Sequence, residues 1–139
     1  MVQIRSLEPF DEANVVDLWS EVFPDGALHN DPEASLKRKL EVDHDLLLVA
    51  VVDDRVVGTV MGGYDGHRGW IYSLAVLPKY RWRGIGSALI HEAEERLKSR
   101  GCLKVNLQVR ASNESVVEFY ERVGYHVEER VSMGKRLYD

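Results

Sequence analysis

The stretch Leu74-Ala75-Val76-Leu77-Pro78-Lys79-Tyr80-Arg81-Trp82-Arg83-Gly84-Ile85-Gly86-Ser87-Ala88-Leu89 runs from an apolar segment, through a basic turn with two glycines, into a helical pattern. The first turn of a helix leaves backbone N–H groups without intrahelical partners, and the helix dipole adds partial positive charge there, so phosphate oxygens are favoured. Gly84 and Gly86 remove side chains that would hold a bulky anion away, and Lys79, Arg81 and Arg83 supply mobile positive charge. A pyrophosphate is the expected guest. The plainer alternative is a tight strand-to-helix turn. Two common nucleotide motifs do not fit: a dinucleotide fingerprint needs a third glycine where Leu89 stands, and no Gly-Lys-Ser/Thr follows to make a P-loop.

The flanking patterns alternate between strand and helix periods. Towards the N-terminus, residues 70–76 read as the strand that feeds the turn, after a reversal over 62–69. Before it, residues 46–52 and 55–61 read as a hairpin joined by Asp53-Asp54. Further back, residues 2–5 alternate as a strand, and Val15, Leu18, Trp19 and Val22 recur at helical spacing. Residues 23–30 break that helix, and Asp31 and Pro32 cap and open a second one carrying Leu36 and Leu40. Towards the C-terminus, Ile85, Ala88, Leu89, Ala93 and Leu97 make one stripe of a helix that stops at Gly101 in a left-handed cap. Residues 103–109 alternate, a helix runs from about Asn113 to Gly124, and residues 125–137 are expected to form a terminal hairpin. The order is βααβββαβαββ. It predicts an α/β (α+β) domain over residues 1–139 with a mixed, mostly antiparallel central sheet and helices on both faces.

Within the turn, Arg81-Trp82-Arg83-Gly84-Ile85-Gly86 resembles the Arg/Gln-x-x-Gly-x-Gly/Ala signature of the GCN5-related N-acetyltransferases. A second segment, Asn113-Glu114-Ser115-Val116-Val117-Glu118-Phe119-Tyr120-Glu121-Arg122-Val123-Gly124-Tyr125, matches that family's downstream motif in its Asn, Tyr-Glu and Gly-Tyr spacing. The similarity extends to Met133-Gly134-Lys135-Arg136-Leu137. The stretch Val60-Met61-Gly62-Gly63-Tyr64-Asp65-Gly66-His67-Arg68-Gly69 is similar to the small bacterial YpeA-type branch. The resemblance implies the GNAT fold, acetyl-CoA or coenzyme A as co-substrate, and transfer of an acetyl group to a primary amine of a small molecule or peptide by direct attack in a ternary complex.

Carried over residue by residue, the resemblance implies that the backbone of Leu74, Ala75 and Val76 pairs with the pantetheine arm, with one N–H serving as oxyanion donor. It implies that Arg81, Trp82, Arg83, Gly84, Ile85, Gly86 and Ser87 hold the pyrophosphate, and that Asn113 contacts the cofactor. Asn113 also suits a helix N-cap. Tyr120 matches the tyrosine that protonates the departing sulfur, a task its ordinary pKa near 10 permits at neutral pH; a core aromatic beside Phe119 is the plainer alternative. The general base departs from the family. Gln108 stands where N-terminal protein acetyltransferases often carry a glutamate, and Trp70 stands where histone-type members do. The remaining candidates are Asp65, His67 and His29, working directly or through water.

Bulk properties narrow the alternatives. A chain of 139 residues, 45% hydrophobic, suits a single core. A formal net charge of −5 and a pI near 5.5 argue against nucleic acid or an anionic membrane as general partner. Lone Cys102 excludes an intramolecular disulfide and a cysteine-rich metal site, and no metal is expected. The N-terminus lacks the order of a signal peptide, which predicts a cytoplasmic protein. Partners are then acetyl-CoA and an amine acceptor, with a homodimer left open. The rival functions are a non-catalytic acyl-CoA-binding or regulatory module and a protein-interaction subunit that merely keeps the fold.

Overall fold

The computed structural model describes residues 1–24 and 26–139. Asp25, inside the expected break over 23–30, lies outside the described residues. The chain divides into two compact units, residues 1–108 and 109–139, which are taken in turn.

The first unit is built on a five-stranded sheet. Its strands are β1 (Gln3–Ser6), β2 (Leu47–Val52), β3 (Arg55–Tyr64), β4 (Gly69–Val76) and β5 (Val105–Leu107), lying side by side in chain order. The first three pairings are antiparallel and β4 with β5 is parallel. The hairpin between β2 and β3 turns on Asp53 and Asp54, at φ 49° and 62°. Two consecutive left-handed residues make the turn whose twist matches the flanking strands, and aspartate tolerates that region better than most residues.

Three helices pack on this sheet: α1 (Glu12–Val22), α2 (Pro32–Leu40) and α3 (Ile85–Ser99). The α2 start is as expected, with the Asp31 carboxylate accepting from Ala34 N at 3.0 Å and Pro32 opening the helix. The period of two along β2 divides the core. Leu47, Val49 and Val51, with Met61 and Ala75, meet Val15, Leu18, Trp19 and Leu36 from α1 and α2. On the opposite face Gly58 lies under Leu89 and Gly62 under Leu97, so α3 covers that side. Each fully buried side chain of this size contributes about 1.5–3 kcal/mol. Ile90 joins the buried stripe of α3, whereas Ala88 is only half-buried. Gly101, at φ +90°, follows α3 in the expected left-handed conformation.

Several boundaries shift. β3 runs on to Tyr64, so the reversal shrinks from 62–69 to residues 65–68, and β5 keeps three residues of the expected 103–109. Cys102 is buried, its thiol donating to Lys104 O at 3.3 Å. No described helix is long and apolar enough to cross a membrane.

The second unit contains α4 (Glu114–Arg122). The terminal hairpin expected over 125–137 is not found: no strand follows α4 among the described residues. Val127, Val131, Met133 and Leu137, the alternating apolar residues that suggested it, are 78–92% exposed. A two-stranded hairpin with no buried face and no third strand is marginal in water, and alternation alone supplies neither.

Candidate acetyl-donor site

The end of β4 is anchored on β3. Leu77 N donates to Val57 O at 2.8 Å, after which Pro78–Tyr80 form a single 3-10 turn. Arg81 folds back so that its Nε donates to Val76 O at 3.1 Å, and the Arg83 guanidinium lies 5.1 Å from the centre of the Tyr80 ring. Trp82, 94% exposed, takes a left-handed φ of 68°, an unusual backbone for a bulky residue.

Gly84 then opens α3 at φ +79° with no side-chain cap, and the first helical bond runs from Ala88 N to Gly84 O at 3.0 Å. The amides of Ile85, Gly86 and Ser87 therefore precede the first intrahelical donor. A Cβ on Gly84 would meet nothing within 4 Å, so the glycine is required by its backbone angle, and the space in front of the turn is open. An uncapped helix start, open space and the exposed basic residues Lys79, Arg81 and Arg83 occur together here, a combination that favours an anion.

The strand leading to this turn is half-paired. β4 pairs with β5 only over Gly69, Trp70 and Ile71, so Leu74, Ala75 and Val76 lie beyond that ladder. They also follow a bulge. Met61 pairs with Tyr72 and Thr59 with Ala75, leaving Val60 alone opposite both Ser73 and Leu74, and Ser73 has φ 51°. The fully buried Thr59 hydroxyl donates to Ser73 O at 3.0 Å and accepts from Trp19 Nε1 at 2.8 Å. Helical spacing puts Trp19 on the apolar stripe of α1, but nothing in that period singles out Thr59. A lone threonine in the apolar run from Val56 to Met61 was the available signal.

At the other end of β4 the reversal closes on itself. The Asp65 carboxylate accepts from His67 N and Arg68 N, both at 2.8 Å. Hydrogen bonds from the Arg68 and His67 amides hold this carboxyl below the usual carboxylate range, which makes it a poorer base. His67 is exposed. His29 stands in a 3-10 turn, Leu28–Asn30, where its carbonyl accepts from Arg38 at 3.0 Å. Trp70 and Tyr72 stack along β4 with ring centres 6.4 Å apart.

In the second unit, Asn113 occupies the N-cap position of α4, but its side chain does not cap the helix. Its Oδ1 accepts from the Ser115 hydroxyl at 3.4 Å, and Asn113 is exposed. The capping alternative is therefore replaced by a side chain that faces solvent. Tyr120 is buried at 8% exposure, with edge-to-face rings of Phe119 and Tyr125 centred 5.1 and 5.7 Å away. Burial pushes its phenol up to about 12.

Residues 13–125 match the acetyltransferase (GNAT) family. An acetyltransferase of Sodalis glossinidius (strain morsitans) is 46% identical over 140 residues, spanning 98% of this chain and 96% of that protein. Among solved structures, the aminoglycoside N-acetyltransferase AAC(6')-Iy in complex with CoA superposes with a TM-score of 0.83 at 19% identity, covering 99% of this chain and 96% of its own. The ribosomal-protein-S18-alanine N-acetyltransferase from Escherichia coli gives 0.76 at 22% identity, covering 89% and 77%. At those identities the two structures share the fold, while their names assign different acceptors.

Proposed function

Because the chain belongs to the acetyltransferase (GNAT) family, we propose that it transfers acetyl from acetyl-CoA to a primary amine of a small molecule or peptide, by direct attack in a ternary complex. The observation that carries this reading is the uncapped start of α3 behind Gly84, open in front and flanked by Lys79, Arg81 and Arg83. Those groups fit a pyrophosphate. The family match runs across both compact units, which supports reading residues 1–139 as one acetyltransferase domain.

Acetyl-CoA supplies the activated acetyl group as a thioester. In this proposal the amides of Ile85, Gly86 and Ser87 and the Arg81 and Arg83 guanidinium groups hold the phosphates. Trp82 borders them, and the Asn113 amide makes a further cofactor contact. Peptide groups of Leu74, Ala75 and Val76, beyond the β5 ladder, bind the pantetheine amides, and one of their N–H groups stabilises charge developing on the carbonyl oxygen. Tyr120 has the role its motif implies, giving a proton to the departing sulfur. A phenol near 12 is protonated at every physiological pH, and a dry site that raises the phenol raises a thiolate in the same sense.

No carboxylate is assigned as base, since Asp65 is committed to its own turn and Trp70 and Gln108 cannot accept the proton. The amine loses its proton to water, with His29 or His67 as the side chains that could assist. The test is release of free thiol from acetyl-CoA with the intact protein across a panel of small and peptide amines. Amine-dependent release is expected. CoA binding without release for any amine would reject the catalytic reading.

A further inference from the structure

We infer that Thr59, held by Trp19, is a positioning residue that locks the bulge in β4 and so aims the peptide groups of Leu74, Ala75 and Val76. This rests on the acetyl-donor reading of that strand.

The bulge has a cost that something must offset. Ser73 sits at φ 51°, a sparsely populated backbone region for a non-glycine residue, which is strained unless its surroundings hold it. Its carbonyl accepts the Thr59 hydroxyl at 3.0 Å, and the same hydroxyl oxygen accepts Trp19 Nε1 at 2.8 Å. Thr59 is 0% and Trp19 3% exposed, so neither group has water as an alternative partner. The surroundings are apolar: Val15, Leu18, Val49, Met61 and Ala75 belong to the core that includes Trp19. A valine would fill the same space without a hydroxyl, so packing alone gives no reason for a threonine. What the hydroxyl adds is direction, because its one proton goes to Ser73 O and its lone pair is tied to an indole that α1 holds in the core.

That direction sets everything downstream. In a strand, a slip of one residue turns every following side chain and peptide group to the other side. By taking up one extra residue between Tyr72 and Ala75, the bulge decides which way the groups of Leu74 to Val76 point. The segment is pinned to β3 at both ends, by Thr59 Oγ1 on Ser73 O and by Leu77 N on Val57 O at 2.8 Å. Between those pins it lies beyond the β5 ladder, held from the β3 side and, at Val76 O, by Arg81 Nε at 3.1 Å. The phosphate turn depends on Gly84 and the start of α3, and not on this pin.

Thr59→Val removes the hydroxyl and keeps the shape; Thr59→Ser keeps the hydroxyl. Two measurements on the intact protein test the inference: amide exchange at residues 74–76 without any ligand, and kcat, KM and CoA affinity. For Thr59→Val we expect faster exchange at 74–76, CoA affinity lowered by less than kcat because the phosphate turn is untouched, and kcat lower by about 10- to 10²-fold, the scale of a small misplacement of reacting groups. Thr59→Ser should restore both exchange and kcat. Unchanged exchange in a folded Thr59→Val overturns the inference whatever the activity, and so does unchanged kcat. Should Thr59→Val not fold, Trp19→Phe takes its place: it frees the hydroxyl, and the same exchange and kcat signature is expected, with unchanged values counting against the proposal. Failure of the wild-type protein to bind CoA is a separate outcome. It would reject the donor site and leave the exchange result to decide the pin.

Discussion

The two ends of β4 carry two short connections with opposite hydrogen-bonding states. At the N-terminal end, residues 65–68 make a reversal that engages its own carboxylate, with Asp65 Oδ1 accepting from His67 N and Arg68 N. At the C-terminal end, the turn into α3 brings a left-handed Gly84, no side-chain cap, open space, and an exposed Trp82 and Arg83. The difference teaches how to separate scaffold from site in a fold rich in turns. A loop whose amides are already taken by its own carboxylate offers an anion little, whereas a helix start whose donors are left over has affinity for one.

The largest expected effect divides holding the donor from using it. If the proposed roles hold, Tyr120→Phe should leave CoA affinity unchanged while lowering the acetyl-transfer rate by about 10²-fold or more, the scale of a lost general acid. Because burial holds the phenol near 12, the wild-type rate should climb with pH as the amine loses its proton and show no falling limb from tyrosine ionisation through pH 10. A pH–rate series on two acceptors of different pKa checks both points. A fall by pH 10 that Tyr120→Phe abolishes would mean a phenol of ordinary acidity.

Next in size is Gly84→Val. A branched side chain at φ +79° costs about 1–2 kcal/mol, and relaxing the turn withdraws amides whose bonds to a charged group are worth about 1.5–3 kcal/mol each. CoA affinity measured by titration should fall about 10- to 10²-fold, with the helical signal in circular dichroism retained. Affinity equal to wild type would break the contrast between the two ends.

Smaller effects follow from side-chain charge. Arg83→Ala should weaken CoA several-fold and flatten the salt dependence of binding, since exposed charges are screened over about 8–10 Å at ordinary ionic strength. Smallest of all is Asp65→Asn. The amide oxygen can still accept from His67 N and Arg68 N, so both CoA affinity and the transfer rate should match wild type. A collapse in rate would make the closed reversal a catalytic element and sink the scaffold reading.

Local signals were legible in the sequence and non-local ones were not. The Asp31-Pro32 start of α2, the Asp53-Asp54 turn and the Gly101 stop each depend on a few neighbouring residues, and each formed where its residue chemistry says. The left-handed glycine that opens α3 is a local signal of the same kind, since the Arg81 to Gly86 stretch carries it. The bulge at Ser73 was not, because it exists only in the register between β3 and β4 and depends on a threonine fourteen positions away. Residues 125–137 show the converse. Their alternation describes two faces of a strand, but a strand also needs a partner, and Val127 and Leu137 stand exposed without one. Asn113 takes the N-cap position that its residue type suits, but the Ser115 hydroxyl rather than a backbone amide engages its side-chain oxygen, a choice of rotamer that spacing does not show.

The proposal that the uncapped start of α3 holds the pyrophosphate of coenzyme A is open to direct measurement. Its most direct test is calorimetric titration of the intact protein with CoA and, in parallel, with pantetheine, which lacks the pyrophosphate. The account predicts saturable CoA binding in the micromolar range that weakens with added salt, and pantetheine binding weaker by at least about tenfold, since charge-assisted bonds to the turn are absent. Equal affinity for the two, or no binding of CoA, would contradict it.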